Sequence, residues 1–339
     1  MTPPPTIGWG VIGCGWVARD YVIPALLQTP GARLVAACDS SSAACTRVAA
    51  VAPGIFTTPD LPALLAHPEV QAVYIATPNH LHRPLTEAAA AAGKHVLCEK
   101  PMATTLADAE AMVAACHAAG VTYATAFDQR FHTAHQQLHT LIRAGRLGTI
   151  TSVRIHYACW TPPEWRPPTD DGGHDNWRAD PARAGGGAGL DLAPHGLDLV
   201  QMLLDEELTE VTGLRQQRIH AYPVDDGAAL LGRFRSGALL LHHVAYNCPD
   251  HFPRRTLEVM GTEAMAVATN TMGQTPGGEL RLISAHTGAT EVIPLHNQES
   301  PFLRGVAAYT QCLQASQPFP FPPARDLHTM RLLAQGLAL

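Results

Sequence analysis

The chain has 339 residues, of which 46% are hydrophobic and 15% charged, which fits two domains with sizeable cores and argues against intrinsic disorder. The formal net charge is −6 and the basic residues are scattered, so nucleic acid and anionic membranes are not expected as partners. The chain contains 28 prolines and 28 glycines, and these interrupt every apolar run before it reaches a membrane-spanning length. The first ten residues, MTPPPTIGWG, lack the basic and apolar regions of a secretory signal. Eight cysteines without a C-x-x-C pair indicate reduced thiols, and these features together predict a cytoplasmic protein.

Short apolar runs alternate with helical patterns over residues 1–126. Strands are predicted at 6–12, 33–39, 72–76, 95–98 and 122–127, and helices at 84–92 and 105–119. The second helix begins with a variant capping box at Thr105 and stops at Gly120. Strand–helix alternation with short connections predicts a doubly wound parallel sheet covered by helices on both faces, an α/β domain.

The pattern changes over residues 127–339, where antiparallel hairpins predominate. Helices are predicted at 134–144, 190–204, 301–314 and 327–337, a strand at 150–160, and hairpins at 228–246, 256–268 and 280–295. A long polar loop covers 161–187. The second domain is therefore predicted to be α+β, built on a large, mostly antiparallel open sheet, with terminal helices that can return to the first domain. Because large exposed sheet faces are usually buried, a homodimer or homotetramer through this sheet is expected.

A glycine motif follows the first strand and opens a helix. Gly13 and Gly15 allow a tight turn and close approach to a pyrophosphate, and Ala18 stands where the third glycine usually lies. The second strand ends in Asp39, which is placed to bind a ribose 2′-hydroxyl. These features predict a Rossmann domain. The carboxylate favours NAD over NADP, and NADP stays open because serines such as Ser40 can accept a phosphate.

Four motifs together are specific: Gly13-Cys14-Gly15, Thr77-Pro78-Asn79-His80, Glu99-Lys100-Pro101, and Gly185-Gly186-Gly187 followed by Asp191-x-x-x-His195. With them the chain resembles, over essentially its whole length, the glucose–fructose oxidoreductase/inositol dehydrogenase/rhizopine catabolism (Gfo/Idh/MocA) family. The resemblance implies a dinucleotide-binding domain followed by a domain with an open sheet, which in the family often packs against a partner subunit.

The resemblance also implies the site residues, of which Lys100, Asp191 and His195 are the expected catalytic set. The expected cofactor-binding residues are Gly13, Cys14, Gly15, Trp16, Val17, Asp39, Ser40, Thr77, Pro78, Asn79, His82, Glu99, Lys100, Gln129, Trp177 and Arg178. The expected substrate-binding residues are Lys100, Tyr157, Trp165, Arg178, Asp191 and His195. One departure from the family is Ala193-Pro194 before His195, which is expected to alter the helix geometry slightly and not the chemistry.

The residue types suit hydride transfer. Asp191 and His195 are four apart, so they share one face of a helix, and an Asp near a His can orient the imidazole. Lys100 follows a strand end, on the edge of a parallel sheet where ligands bind. His195 is the expected general base for alcohol oxidation and general acid for ketone reduction. Lys100 would stabilise the developing negative charge, and Asp191 would hold a substrate hydroxyl or Lys100.

The predicted function is an NAD(P)-dependent oxidoreductase acting on a secondary alcohol or ketone of a sugar, cyclitol or related polyol. Two alternatives stay open: glycoside cleavage through transient oxidation by bound NAD, and non-catalytic sensing of NAD or a sugar. The 18 histidines show no familiar zinc-ligand spacing, so no metal site is expected. Trp160, Trp165 and Trp177, in or near the long loop, suit either core packing or stacking on a sugar ring.

Overall fold

The computed structural model describes residues 5–167 and 175–338, so part of the predicted loop 161–187, residues 168–174, lies outside the described residues. The chain forms two compact units. The first comprises the described parts of Met1–Ala126 and Arg166–Asp175 together with Phe302–Leu327, and the second the described parts of Phe127–Trp165, Asn176–Pro301 and His328–Leu339. Among the described residues, no helix combines the length and apolar character that a bilayer crossing requires.

The first unit is built on a six-stranded parallel sheet. Its strands are β1 (Ile7–Ile12), β2 (Ala32–Cys38), β3 (Phe56–Thr58), β4 (Ala72–Ile75), β5 (His95–Glu99) and β6 (Tyr123–Ala126). The spatial order β3-β2-β1-β4-β5-β6 reverses between β1 and β4, and in such sheets ligands bind at this switch point, outside the carboxyl ends of the strands. The predicted doubly wound parallel fold is confirmed.

The helices of this unit are α1 (Ile23–Gln28), α2 (Ser42–Val51), α3 (Leu61–Ala66), α4 (His82–Ala91), α5 (Leu106–Ala118) and most of α9 (Pro301–Ala315), with a π-helical turn at Ala18–Val22 and a 3₁₀ turn at Asn79–Leu81. The Thr105 hydroxyl caps α5 by accepting a hydrogen bond from Asp108 N at 3.1 Å, as the capping box predicts. Helix α9 is tied to the sheet by Tyr309, which packs 5.7 Å from the fully buried ring of Trp9 and donates to Thr122 O at 2.8 Å.

The second unit is built on an eight-stranded sheet. Its strands are β7 (Ile150–Ala158), β8 (Leu208–Gln216), β9 (Gly227–Phe234), β10 (Leu239–Ala245), β11 (Arg255–Gly261), β12 (Ala264–Thr269), β13 (Glu279–Ser284) and β14 (Thr290–Ile293). The order is β14-β13-β12-β11-β7-β10-β9-β8, with all neighbours antiparallel except the parallel pair β7 and β10. The predicted mostly antiparallel open sheet is confirmed.

One face of this sheet is covered by α8 (Ala188–Leu204), which packs against β7, β9 and β10 and against α6 (Thr133–Arg143). The unit also contains α7 (Pro181–Ala184), the C-terminal part of α10 (Pro323–Leu337), and 3₁₀ turns at Asp128–Phe131 and Trp177–Ala179. Side chains along β9 and β10 alternate between buried and exposed, so the opposite face carries exposed leucines such as Leu231, Leu239 and Leu241.

Helix α8 is fixed at both ends of the segment that carries Asp191 and His195. A Cβ on Gly187 would overlap the carbonyl oxygen of Asp225, so only glycine allows this approach. The Asp225 carboxylate then accepts hydrogen bonds from Gly187 N at 3.0 Å and Gly189 N at 2.7 Å, which satisfies the N-terminal amides of the helix. This contact explains the glycine at position 187, the last of the run that precedes the helix.

Further along α8, Asp198 forms a bidentate ion pair with Arg130 at 2.8 and 2.7 Å, and both side chains are fully buried. Arg130 belongs to the 3₁₀ turn Asp128–Phe131, so the pair attaches that turn to the helix. Helix α8 continues through Pro194, which removes one backbone hydrogen-bond donor inside the helix.

Candidate functional site

The glycine turn after β1 has the backbone that close approach of a ligand requires. Gly13 has φ +92°, and a Cβ there would lie 2.6 Å from Ala76 O, so the position admits only glycine. At Gly15 no atom lies within 4 Å of the position a Cβ would take. The turn therefore leaves open space beside Gly15 and the start of the following helix, a geometry that fits a pyrophosphate.

Asp39 is held in place beside this turn. Its Oδ2 accepts a hydrogen bond from Cys14 N and its Oδ1 from Ser41 N, each at 2.8 Å. The carboxylate is partly exposed, and Ser40 next to it is exposed. Burial, assisted by the charge of Asp39, raises the pKa of the Cys14 thiol, which stays protonated. The residues thus fit a dinucleotide whose ribose hydroxyls face a carboxylate.

The carboxyl ends of β4 and β5 are neighbours in the sheet, so the segments Thr77–Asn79 and Glu99–Lys100 follow adjacent strand ends. The buried Glu99 accepts a hydrogen bond from Tyr74 Oη at 2.7 Å. The hydroxyl oxygen of Thr77 is buried and has no hydrogen-bond partner among the described residues, as expected of a group that meets a ligand.

His82, expected to contact the cofactor, is fully buried. Its Nδ1 lies 2.9 Å from Pro101 O and its Nε2 3.1 Å from Thr77 O. Burial lowers the pKa of this imidazole, so it is neutral. The neutral ring donates a hydrogen bond to one of these two carbonyls, so His82 lies between the loops after β4 and β5 and contacts both.

The contrast between the two glycines gives a first prediction. Gly15→Ala is expected to weaken NAD⁺ binding about 10- to 100-fold, because the added methyl group occupies the space of the pyrophosphate without disturbing the protein itself. Calorimetric titration measures the affinity, and thermal unfolding without nucleotide checks that Tm is unchanged. Gly13→Ala is the comparison: its methyl group meets Ala76 O, so it is expected to lower Tm as well. An unchanged affinity in Gly15→Ala would contradict the assignment of this turn.

In the second unit, Asp191 lies at one end of a polar network on α8. Its Oδ2 accepts a hydrogen bond from Tyr246 Oη at 2.6 Å and lies 3.8 Å from Arg178 Nε. Burial first and the charge of Asp191 second raise the pKa of Tyr246, so the phenol stays protonated and donates. The Asp191 carboxylate is therefore oriented by two groups from outside its helix.

His195, one turn further along α8, faces a different carboxylate. Its Nδ1 lies 3.2 Å from Asp128 Oδ1, and both side chains are buried. The other oxygen of Asp128 accepts from Gln129 Nε2 at 3.0 Å, and the same amide nitrogen lies 3.1 Å from Gly273 O. The ring of Tyr157 packs edge-on against the imidazole at 5.6 Å. Gln129, expected at the cofactor, thus positions Asp128.

The predicted tryptophans make specific contacts. The Arg178 guanidinium lies over the ring of Trp177 at 4.5 Å and over that of Trp165 at 5.6 Å. Trp160 packs edge-on against His220 at 4.8 Å. Trp165 and Trp177 therefore contact the guanidinium that lies beside Asp191, and stacking on a sugar ring stays a prediction.

Lys100 belongs to the first unit and Asp191 and His195 to the second, so their action on one carbinol stays a prediction. Asp128 and Tyr246 were missed. Asp128 directly follows the strand predicted at 122–127, where a carboxylate at a strand end was a usable signal; Tyr246 reads from sequence as an ordinary strand residue. Within residues 5–167 and 175–338, no three His, Cys, Asp or Glu side chains form a metal-binding group.

Two family models match the chain: "Oxidoreductase family, NAD-binding Rossmann fold" over residues 7–127 and "GFO/IDH/MocA C-terminal domain" over residues 135–267. The 1,5-anhydro-D-fructose reductase of Ensifer adhaerens is 36% identical over 279 residues, 82% of this chain and 80% of that protein. The D-apiose dehydrogenase of Paraburkholderia graminis is 32% identical over 259 residues, 75% of this chain and 65% of that protein.

Among solved structures, an aldose–aldose oxidoreductase from Caulobacter crescentus complexed with glycerol superposes with a TM-score of 0.84 at 26% identity, covering 97% of this chain and 95% of that one. The similarity extends over both units, so the fold of each unit is shared with that structure.

Proposed function

Because this chain belongs to the Gfo/Idh/MocA family of oxidoreductases, we propose that it transfers hydride between NAD(P) and a secondary alcohol or ketone of a sugar, cyclitol or related polyol. The observation that carries this proposal is the pair of contacts on α8: the buried Nδ1 of His195 lies 3.2 Å from Asp128 Oδ1, and Asp191 accepts a hydrogen bond from Tyr246. Such a network prepares one histidine for proton exchange beside a carboxylate that can bind a hydroxyl.

The residues divide the chemistry as follows. The nicotinamide supplies the hydride acceptor or donor when it is bound. His195 removes the hydroxyl proton of an alcohol during oxidation and returns it during reduction; Asp128 occupies its Nδ1 side, which assigns the exchange to Nε2. Lys100 donates a hydrogen bond to the same oxygen as its charge develops. Asp191 accepts a hydrogen bond from a neighbouring substrate hydroxyl.

NAD is the proposed cofactor, with NADP as the alternative. The support is Asp39, whose carboxylate is fixed by Cys14 N and Ser41 N and would repel a 2′-phosphate. A panel of sugars, cyclitols and their keto forms, assayed with both nucleotides by nicotinamide absorbance, tests the function and the cofactor together. Reduction or oxidation of none of them, with both nucleotides bound, would contradict the proposal; release of an aglycone without an absorbance change would favour glycoside cleavage.

A second prediction concerns Asp128. Asp128→Asn is expected to lower kcat/KM for alcohol oxidation about 10-fold, because the carboxylate that faces His195 Nδ1 stabilises the positive charge that the imidazole gains when it takes the hydroxyl proton. Steady-state kinetics on the true substrate measure the loss.

Asp128→Glu is the matching variant, because it keeps the charge at a slightly different distance. It is expected to recover part of the lost kcat/KM, whereas a purely steric role would make Asp128→Glu at least as harmful as Asp128→Asn. An unchanged kcat/KM in Asp128→Asn would remove Asp128 from the mechanism and leave the oxidoreductase function itself untouched.

We also propose a homodimer or homotetramer through the exposed face of the second unit's sheet. Exposed Leu231, Leu239 and Leu241 form an apolar strip, and Arg154 and Glu258 place opposite charges 3.4 Å apart on the same face, a pattern that a second copy can complement. Light scattering is expected to give a multimer for the native chain and a monomer for Leu231→Arg; a native monomer would contradict this. A cytoplasmic location is proposed as well, supported by eight cysteines that are all free thiols.

A further inference from the structure

Arg255 lies beside Tyr157, a neighbour of His195, on the inner face of the second unit's sheet. It begins β11 and stands directly opposite Tyr157 in the antiparallel pairing with β7, so both side chains point to the same face. Its guanidinium carbon lies 6.0 Å from the centre of the Tyr157 ring, and that ring lies 5.6 Å from the ring of His195. Arg255 and His195 therefore both adjoin Tyr157.

The guanidinium is accommodated by a glycine. A Cβ on Gly273 would overlap Nη1 of Arg255, so any larger residue would displace the guanidinium. The carbonyl oxygen of Gly273 is in turn hydrogen-bonded to Gln129, the residue that also holds Asp128. Arg255 thus belongs to the same packed group as the His195 network.

The positive charge of Arg255 is not neutralised within the described part of the chain. Its Nε is buried without a hydrogen-bond partner there, and no described carboxylate forms an ion pair with it. The nearby carboxylates have other partners, since Asp128 faces His195 and Asp191 faces Tyr246 and Arg178. The adjacent Arg254, by contrast, is paired with Asp250.

A partly buried guanidinium without a counter-charge is unfavourable, and an anion that fills the position offsets this cost. Guanidinium forms paired hydrogen bonds with carboxylate and phosphate. We propose that Arg255 binds an anionic group of the substrate, so that the enzyme acts on an acidic sugar or polyol, either a sugar acid or a sugar phosphate. This inference takes the reaction from the proposed function and adds to it that the substrate carries a negative charge.

The test compares matched substrates: glucose, glucuronate and glucose 6-phosphate, and the corresponding set from whichever sugar is turned over. The variants are Arg255→Met, Arg255→Lys and, as the control, Arg254→Met. The native enzyme is expected to prefer an acidic member over its neutral parent at least 10-fold in kcat/KM, mainly through KM. Arg255→Met is expected to reduce that preference at least 10-fold, Arg255→Lys to restore part of it, and Arg254→Met to retain it. Preference for glucuronate or for glucose 6-phosphate identifies the carboxylate or the phosphate as the source.

A binding measurement separates this inference from the proposed function. Titration of the resting protein with inorganic phosphate and with acetate needs no turnover, and the expected result is saturable binding that Arg255→Met loses and Arg254→Met keeps. Equal binding to both variants, or no preference for acidic substrates in an active enzyme, would overturn the proposal. Loss of binding in Arg255→Met with no turnover of any sugar would support the anion site and contradict the oxidoreductase function instead.

Discussion

Replacement of Lys100 by methionine is expected to lower kcat by about 10²- to 10³-fold, while the dissociation constant of NAD⁺ changes less than threefold. Removing a positioned donor that stabilises developing negative charge costs an enzyme about this much. Lys100 follows β5 directly, at the strand edge where ligands of parallel sheets bind, and methionine keeps the length of the side chain without its charge. Steady-state kinetics on the true substrate and calorimetric titration with NAD⁺ measure the two quantities.

The chain provides its own control, because it contains only one other lysine. Lys94 precedes the same strand at its opposite end, and its Nζ donates to Val70 O at 2.8 Å. Lys94→Met removes an equal charge from the same unit and is expected to leave kcat within about twofold, since Lys94 lies at the end of β5 opposite the ligand-binding edge. Comparable losses in the two variants would indicate a general effect of charge, and undiminished turnover in Lys100→Met would exclude Lys100 from catalysis.

The fold was predictable where local pattern decides it. Strands of the parallel sheet read as apolar runs, and α5 carried its own capping residue, Thr105. The three residues of β3 (Phe56–Thr58) were not predicted, because a strand this short carries too little periodicity to be read. Its place in the sheet is set by pairing with β2, a contact between distant segments.

The site was predictable in its reactive residues and not in their partners. The spacing of Asp191 and His195 follows from helix geometry, so sequence placed them on one face. The sequence also suggested that Asp191 could orient the imidazole. In the structure, Asp128 faces His195, whereas Asp191 contacts Tyr246 and Arg178. These partners come from two 3₁₀ turns and from the residue that follows a strand, and tertiary packing alone brings them together.

The family resemblance is confirmed, and the cofactor contacts it implies stay predictions. His82 and Gln129, two of the expected cofactor-binding residues, are buried and contact polar groups of their own units. Family motifs identify which positions matter, and the hydrogen-bond partners determine whether a residue contacts a ligand or positions one that does.

Because buried charged groups depend on their partners, we expect the largest effect on stability from breaking the buried ion pair of Arg130 and Asp198. Arg130→Met is expected to lower the free energy of unfolding of the second unit by about 3–5 kcal/mol, because it removes the guanidinium that forms the bidentate pair with the fully buried Asp198 carboxylate. The double variant Arg130→Met, Asp198→Leu removes both charges and is expected to recover most of that loss. Urea unfolding followed by tryptophan fluorescence and by circular dichroism gives the three values.

An exposed pair in the same unit provides the comparison. Arg233 and Glu210 are 2.8 Å apart, with side chains 60% and 65% exposed, so Arg233→Met is expected to cost less than about 1 kcal/mol. The buried pair also attaches the turn bearing Asp128 to α8, so Arg130→Met should lower kcat/KM as well. The double variant replaces both charged side chains by apolar ones. It should therefore restore the free energy of unfolding more fully than kcat/KM. A loss in Arg130→Met no larger than in Arg233→Met would show that the turn is held by packing alone, and that the ion pair does not fix the position of His195.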